Sequence, residues 1–160
     1  MDVTYWKESL VKWINVTGIL DEDILELNQL NDGKFIGRLL GLWRRKSDHG
    51  KGICKDEMNS IEVAHALQAF LKHEYPDYEF DLDAYQDQNE DEIIYVTSLL
   101  LFHCCLRKTD HSIIQKMNEL PDEVQIVIKM FFERVLPEGN CITQKVLKDA
   151  ICKEGRCQGY

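Results

Sequence analysis

The sequence has 160 residues, of which 44% are hydrophobic and 29% are charged, and its formal net charge is −9. This length and composition predict one globular domain with a substantial hydrophobic core. An acidic surface repels phosphate, so nucleic acid and anionic membranes are not expected partners, and the acidic surface of microtubules is disfavoured for the same reason. The only compact basic cluster, Arg44 to Lys46, lies at a predicted helix end, where it favours the helix dipole.

The chain shows no feature of secretion or membrane insertion. Its first residues are not a basic stretch followed by an apolar one, as a signal peptide requires. The longest apolar run, residues 96–106, is too short to span a bilayer. Two of the six cysteines, Cys104 and Cys105, are adjacent inside that apolar run, as buried thiols often are. We therefore expect a cytoplasmic protein with reduced cysteines.

Apolar residues recur at helical spacing through most of the chain, which predicts an all-α protein. The longer predicted helices, in chain order, cover residues 4–16, 34–45, 60–75, 93–108, 121–136 and 142–152. Three short helices are predicted between them. The first is capped by Asp21 and carries Ile24, Leu25 and Leu27, the second lies near Asp83, and the third is capped by Asp110. We expect a loop over 46–59, one domain over 1–153 and a frayed tail over 154–160.

Several of these segments carry more specific expectations. Trp6, Leu10, Trp13 and Ile14 share one face of the first helix and should be buried. Helix 93–108 is the most hydrophobic and should form the centre of the core, with the acidic residues 90–92 favouring its N-terminus. Ser60 is the expected cap of helix 60–75, whose inward residues are predicted to be Ile61, Ala64, Leu67, Phe70 and Leu71. Glycines at every fourth position, Gly33, Gly37 and Gly41, give helix 34–45 a flat side for close packing.

Catalytic and metal-binding chemistry are not expected. Structural zinc sites use ligands in close pairs, and the nearest approaches here are His49 with Cys54 and the consecutive residues 103–105. Three consecutive helical residues point in different directions and do not converge on one ion. His103 lies in an apolar helix and is interpreted as a core or edge histidine. We expect no enzyme activity and no cofactor.

Helix 121–136 is apolar over too much of its circumference for an ordinary surface helix. At about 100° per residue, Val124, Ile128, Phe131 and Val135 form one narrow stripe that is sufficient to dock the helix on a core. Phe132 and Leu136 project to one side of this stripe, while Ile126 and Met130 project to the other. Either neighbouring helices bury several sides of this helix, or one apolar side borders a groove that receives a partner's amphipathic helix.

Parts of the sequence resemble a known family. LVKWIN (10–15) and LNDGKFIGRLL (30–40) resemble the opening and central helices of calponin-homology domains. LLLFHCC (99–105), IIQKM (113–117) and residues 120–132 resemble the corresponding region of Hook domains, and the triplet before His103 is similar to the head of the nuclear mitotic apparatus protein. The resemblance covers about residues 5–136.

The resemblance implies a divergent calponin-homology fold with an extra C-terminal helix, placed ahead of a dimerising coiled coil outside these residues. Such heads bind a helix of the dynein light intermediate chain and link the motor to cargo, spindle or cell cortex. The family's contact pattern falls on Gln125, Lys129 and Phe132, although Hook proteins have an apolar residue where Lys129 stands. The expected partner-binding residues are Gln125, Ile128, Lys129, Phe132, Leu136, Ile114 and Met117, with helix 142–152 packing nearby to complete the groove.

The alternative function is binding to microtubules or actin, as other calponin-homology domains do. The net charge of −9 counts against it. Binding to filaments that falls steeply as salt rises would favour this alternative.

Overall fold

All but one of the stretches with helical apolar spacing become helices. The computed structural model describes residues 3–47, 59–107, 111–139 and 141–157, and within these ranges it contains no strand. The α-helices there are α1 (Val3–Thr17), α2 (Lys34–Ser47), α3 (Ser60–Glu74), α4 (Leu82–Gln86), α5 (Glu90–Phe102), α6 (His111–Met117), α7 (Asp122–Val135) and α8 (Gln144–Cys157). Turns of 3₁₀ helix occupy Leu27–Asp32 and Leu136–Glu138, and a π-helical segment, His103–Arg107, continues α5. The predicted all-α class is confirmed.

The two tryptophans of α1 tie the helices together. Trp6 and Trp13 are fully buried, as predicted. The Trp6 indole Nε1 donates to Ser98 Oγ of α5 at 2.9 Å, and its ring lies 4.8 Å from that of Phe131 in α7. Trp13 meets Phe35 of α2 edge-on, with the ring centroids 5.7 Å apart. One face of α1 therefore contacts α2, α5 and α7.

Helix α5 runs through the middle of the core. All of its residues from Glu92 to Phe102 are buried. The side chain of Asn89 caps the helix by accepting a hydrogen bond from Glu92 N at 3.0 Å, and the first turn is acidic, which suits the positive end of the helix dipole. The predicted central position of this helix is confirmed, although its last turn, up to Arg107, is π-helical rather than α-helical.

Two of the regularly spaced glycines let α2 approach α3 closely. A Cβ on Gly33 would lie 3.0 Å from Val63 Cβ, and a Cβ on Gly37 would lie 3.1 Å from Val63 Cγ2. Gly33 also has a φ of +79°, which side chains with a Cβ rarely adopt. The predicted flat side is confirmed at these two positions.

The start of α3 differs from the prediction. Asn59, not Ser60, is the cap: its Oδ1 accepts from Glu62 N at 2.8 Å, and Glu62 Oε1 accepts in return from Asn59 N at 3.1 Å. Ile61 was predicted to point inward but is 60% exposed. At about 100° per residue, it lies roughly 100° from the centre of the arc formed by the buried residues Val63, Ala64, Leu67 and Leu71.

The predicted short helix after Asp21 is also wrong. The chain makes bends until the 3₁₀ turn begins at Leu27, and Asp21 pairs instead with Arg38 at 3.6 Å. Asn15 holds this segment, because its side-chain amide donates to Ile24 O at 3.0 Å and accepts from Ile24 N at 2.8 Å. Ile24 and Leu27 are buried as expected, whereas Leu25 is 85% exposed.

The remaining boundaries are close to those predicted. The short helix near Asp83 is α4, capped by Asp81, and α6 follows where a short helix was expected. α8 continues to Cys157, so residues 154–157 of the predicted tail are helical. The Asp110 cap, residues 48–58 of the predicted loop, including His49 and Cys54, and residues 158–160 lie outside the described residues. Among the described helices, none combines the length and apolar character needed to cross a membrane.

Candidate functional site

The apolar stripe that was predicted along α7 is the side of the helix that packs on the core. Val124, Phe131 and Val135 are fully buried, and Phe131 packs on Trp6. Ile128 is only 2% exposed. It was predicted to contact a partner, but its side chain belongs to the core, because at about 100° per residue it lies only about 40° from Val124. The stripe by itself docks the helix.

The other predicted residues, Gln125, Lys129 and Phe132 of α7 and Leu136 at the start of the 3₁₀ turn that follows it, lie on one side of the helix and are called the Phe132 face. Phe132 is half-buried and meets the ring of Phe102 in α5, with the centroids 6.0 Å apart and the planes at 75°. Leu136 is 56% exposed, and Lys129 is exposed. The face therefore has an aromatic ring seated on the core and a large aliphatic side chain left in solvent.

Gln125 fastens the start of the Phe132 face to the connection between α6 and α7. Its Nε2 donates to Leu120 O at 2.8 Å and to Asn118 O at 3.4 Å. The amide group is thereby oriented with its nitrogen toward the protein. Its Oε1 accepts no hydrogen bond from the described residues, so this oxygen is available to a donor on an incoming chain.

Helix α6 borders the same region from the other side. Its predicted site residues Ile114 and Met117 are both half-buried. Met117 Sδ lies 3.3 Å from Cys105 Sγ, in the π-helical segment that follows Phe102. Phe102 and Cys105 are three residues apart, so α6 and α7 rest on neighbouring positions of one continuous helix. The structure thus places Met117 and Phe132 on the two sides of that helix end.

An arginine that the sequence did not single out stands beside this face. The Arg107 guanidinium lies 5.5 Å from the centroid of the Tyr75 ring and 5.7 Å from that of Phe102. Its Nη2 donates to Gly139 O at 3.0 Å, just beyond the end of α7. The side chain is exposed. Hydrophobic periodicity gives no signal for it, since its position depends on the π-helical winding after Phe102.

Helix α8 does not complete a groove at the Phe132 face, contrary to the prediction. It is tied to α7 by Arg134, whose Nη1 donates to Ala150 O at 3.0 Å. Arg134 lies about 200° around α7 from Phe132. α8 therefore packs on the opposite side of α7, and the neighbours of the Phe132 face are α6 and the π-helical segment. Ile126, 58% exposed, and half-buried Met130 lie between these two sides.

His103 is a buried core residue, as interpreted from the sequence. Its Nδ1 lies 2.9 Å from the Tyr75 hydroxyl, and its ring packs against Trp43 and Phe70 at 4.9 and 4.8 Å. Burial raises the pKa of the Tyr75 phenol, so Tyr75 stays a neutral hydrogen-bonding group. In the described part of the chain, no three His, Cys, Asp or Glu side chains are grouped so as to hold a metal ion.

An acidic cleft of about 710 Å³ lies elsewhere and was not predicted as a unit, because its carboxylates were assigned to helix capping. It is lined by Glu79, Phe80, Asp81, Leu82, Asp83, Ala84, Asn89, Asp91, Glu92, Tyr95 and Gln144. Glu92 is buried and accepts from the Tyr78 hydroxyl at 2.5 Å. Burial raises the pKa of the Glu92 carboxyl. This hydrogen bond gives Glu92 a structural role between α5 and the chain before α4.

No family model, curated protein or solved structure matches this chain. The resemblance to Hook-type heads consequently rests on the quoted residues, and the Phe132 face rests on the geometry given above.

Proposed function

We propose that this chain is a non-enzymatic adaptor head with a divergent calponin-homology-type fold. It binds an amphipathic helix of the dynein light intermediate chain along the Phe132 face, and so supports dynein recruitment or activation in spindle positioning or cargo transport. This role places it in the cytoplasm, at the spindle, the cytoskeleton or the cell cortex.

One observation carries the proposal. α7 is already docked by its buried stripe, yet Leu136, directly after its last residue, is 56% exposed next to half-buried Phe132. Leu136 is a large aliphatic side chain in solvent, and it stands beside an aromatic ring that packs on the core. An apolar anchor of a second helix would cover such a surface. Half-buried Met117 extends this apolar surface across the end of α5, and Gln125 Oε1 supplies an acceptor at its far end.

The direct test is calorimetric titration of the chain with a peptide that spans the light-intermediate-chain helix. Leu136→Asp is the most informative variant, because an exposed side chain can be changed without opening the core. Its matched control is Ile126→Asp, which changes an equally exposed apolar residue of the same helix on a different side. If Leu136 is a hot spot, its loss weakens binding by about 2 kcal/mol or more, or roughly thirtyfold.

A double variant, Gln125→Ala with Phe132→Ala, tests the rest of the face. Because Phe132 also packs on Phe102, far-UV circular dichroism and a urea titration must first show that this variant is folded. Binding that is lost with Leu136→Asp and kept with Ile126→Asp supports the proposal. Affinity that is unchanged in Leu136→Asp and in the folded double variant would reject the Phe132 face as the binding site.

A further inference from the structure

Two cations stand at opposite ends of the apolar part of the Phe132 face. Lys129 precedes Phe132 by three residues, which places the two side chains next to each other on α7. Arg107 lies beyond the other end, where it packs on Phe102 and is held by Gly139 O. The two cations therefore flank Phe132 and Leu136, with Lys129 on the N-terminal side and Arg107 on the C-terminal side, next to Gly139.

Neither cation is paired with a carboxylate in the part of the chain that the structure describes. In the described ranges, Lys7 pairs with Glu90 and Arg38 with Asp21, but no carboxylate forms an ion pair with Lys129 or Arg107. Glu133, the acidic residue one turn after Lys129, is not paired with it. Arg107 contacts two aromatic rings and one carbonyl oxygen, which orient the guanidinium but leave its charge and most of its five donors available.

We infer that the helix bound on the Phe132 face carries carboxylates on both sides of its apolar anchors, one pairing with Lys129 and the other with Arg107. This inference rests on the proposed function and specifies the chemistry of its partner. A helix with apolar anchors at i and i+7 has flanking residues beyond each anchor, where one carboxylate can meet each cation. It also gives Lys129 a role: its stem covers apolar surface while its ammonium group meets a carboxylate.

The charge of the whole chain makes this local arrangement selective. With a net charge of −9, most of the surface repels an acidic helix. An acidic helix is therefore disfavoured over most of the surface, and at this face attraction is confined to carboxylates placed directly at Lys129 or Arg107, because Asp122, Glu133 and Glu138 are exposed nearby. A helix with basic flanks would instead bring like charges together at both ends.

The test uses three versions of the light-intermediate-chain peptide, with Glu, Gln or Lys at the positions that flank its apolar anchors. Affinities are measured by fluorescence anisotropy at low and high sodium chloride. We expect the Glu version to bind most tightly and the Lys version most weakly. Each ion pair between partly exposed groups should change the affinity of the peptide about two- to fivefold. The differences in affinity among the three peptides should become smaller as the salt concentration rises.

Charge reversal identifies the residue responsible. Lys129→Glu should reverse the order, so that the Lys peptide binds better than the Glu peptide. The fold is not at risk, because Lys129 is exposed and has no partner in the described residues. Lys145→Glu, at an exposed position of α8, makes the same change in net charge away from the face and should leave the order unchanged. Arg107→Gln should weaken the Glu peptide about two- to fivefold and the Gln peptide less.

Failure of this inference is distinct from failure of the proposed function. Three peptides that bind equally well, but lose binding to Leu136→Asp, would leave the function standing and overturn the acidic-partner inference. If Lys129→Glu and Lys145→Glu change the peptide affinities equally, the acidic-partner inference is also overturned. The dependence of affinity on peptide charge would then come from the net charge of the chain. If no version binds, or if Leu136→Asp binds normally, the function itself is rejected and the inference with it.

Discussion

Replacing Ile128 and Leu136 by alanine separates core from binding surface on a single helix. Ile128→Ala removes three carbon atoms from a side chain that is 2% exposed, whereas Leu136→Ala removes three from one that is 56% exposed. At about 0.8 kcal/mol per buried carbon, the first change loses about 2.4 kcal/mol in transfer free energy, and the cavity it leaves raises the loss to about 3 kcal/mol. The second should cost about 1 kcal/mol, since less than half of the side chain is buried.

Urea unfolding followed by tryptophan fluorescence measures both values. For a chain of this length, about 3 kcal/mol corresponds to a fall in Tm of roughly 6–12 °C. In the peptide titration the ranking should invert: Leu136→Ala weakens binding, while Ile128→Ala, measured where it is folded, does not. A stable Ile128→Ala variant, or a Leu136→Ala variant as unstable as it, would refute the assignment of the two faces of α7.

Three further predictions concern the fold. Asn59→Ala should lower the free energy of unfolding by about 1 kcal/mol, while Ser60→Ala stays within about 0.5 kcal/mol; the opposite ranking in urea titrations would restore Ser60 as the cap. Gly33→Ala should cost at least about 1–2 kcal/mol, because its φ of +79° and the 3.0 Å approach to Val63 both disfavour a Cβ; a thermal melt that matches the wild type would contradict this. Because burial raises the pKa of Glu92, its contribution to stability is present below the unfolded-state pKa and falls as pH rises through the folded-state pKa. Glu92→Gln should remove this dependence of stability on pH, so the stability of the variant relative to the wild type should rise from mildly acidic to neutral pH. A difference in free energy of unfolding that does not change with pH would contradict the raised pKa of Glu92.

Side chains that share a helical face were the most predictable feature of this protein. Trp6 and Trp13 are buried as expected, and the unbroken apolar run of α5 forms the centre of the core. Such positions are determined by the period of the α-helix and by the hydrophobic effect, both of which can be read from residue spacing. Gly33 and Gly37 were predictable for the same reason, since their spacing leaves one side of a helix without Cβ atoms.

Features that depend on polar competition or on tertiary neighbours were not predictable. The cap of α3 is an exception, because the sequence does distinguish Asn59 from Ser60: Glu62 stands three residues after Asn59, the spacing of a capping box, and this signal was missed. Asp21 was expected to begin a helix, but the amide of Asn15 binds the backbone of Ile24 and holds the chain in another path. A local sequence window does not contain that competition.

The candidate site was also predictable only in part. The helical wheel correctly grouped Gln125, Phe132 and Leu136 on one side of α7, but it could not say which helix stands next to them. α8 was expected there and packs on the opposite side through Arg134. Ile128 was included among the contact residues although the helical wheel had already placed it in the stripe that docks α7 on the core, and its burial agrees with the wheel.

The π-helical segment determines the angular phase with which the chain leaves α5. In an α-helix, Arg107 would lie about 140° around the axis from Phe102, five residues earlier, and the two side chains would face different neighbours. A π-helix pairs residue i with residue i+5, so it brings Arg107 back over the Phe102 ring, where the guanidinium lies 5.7 Å from the centroid. A single residue removed from His103–Arg107 would restore α-helical phase and rotate the charge away from the end of α7. Chain length in this one turn therefore decides where the charge of Arg107 lies.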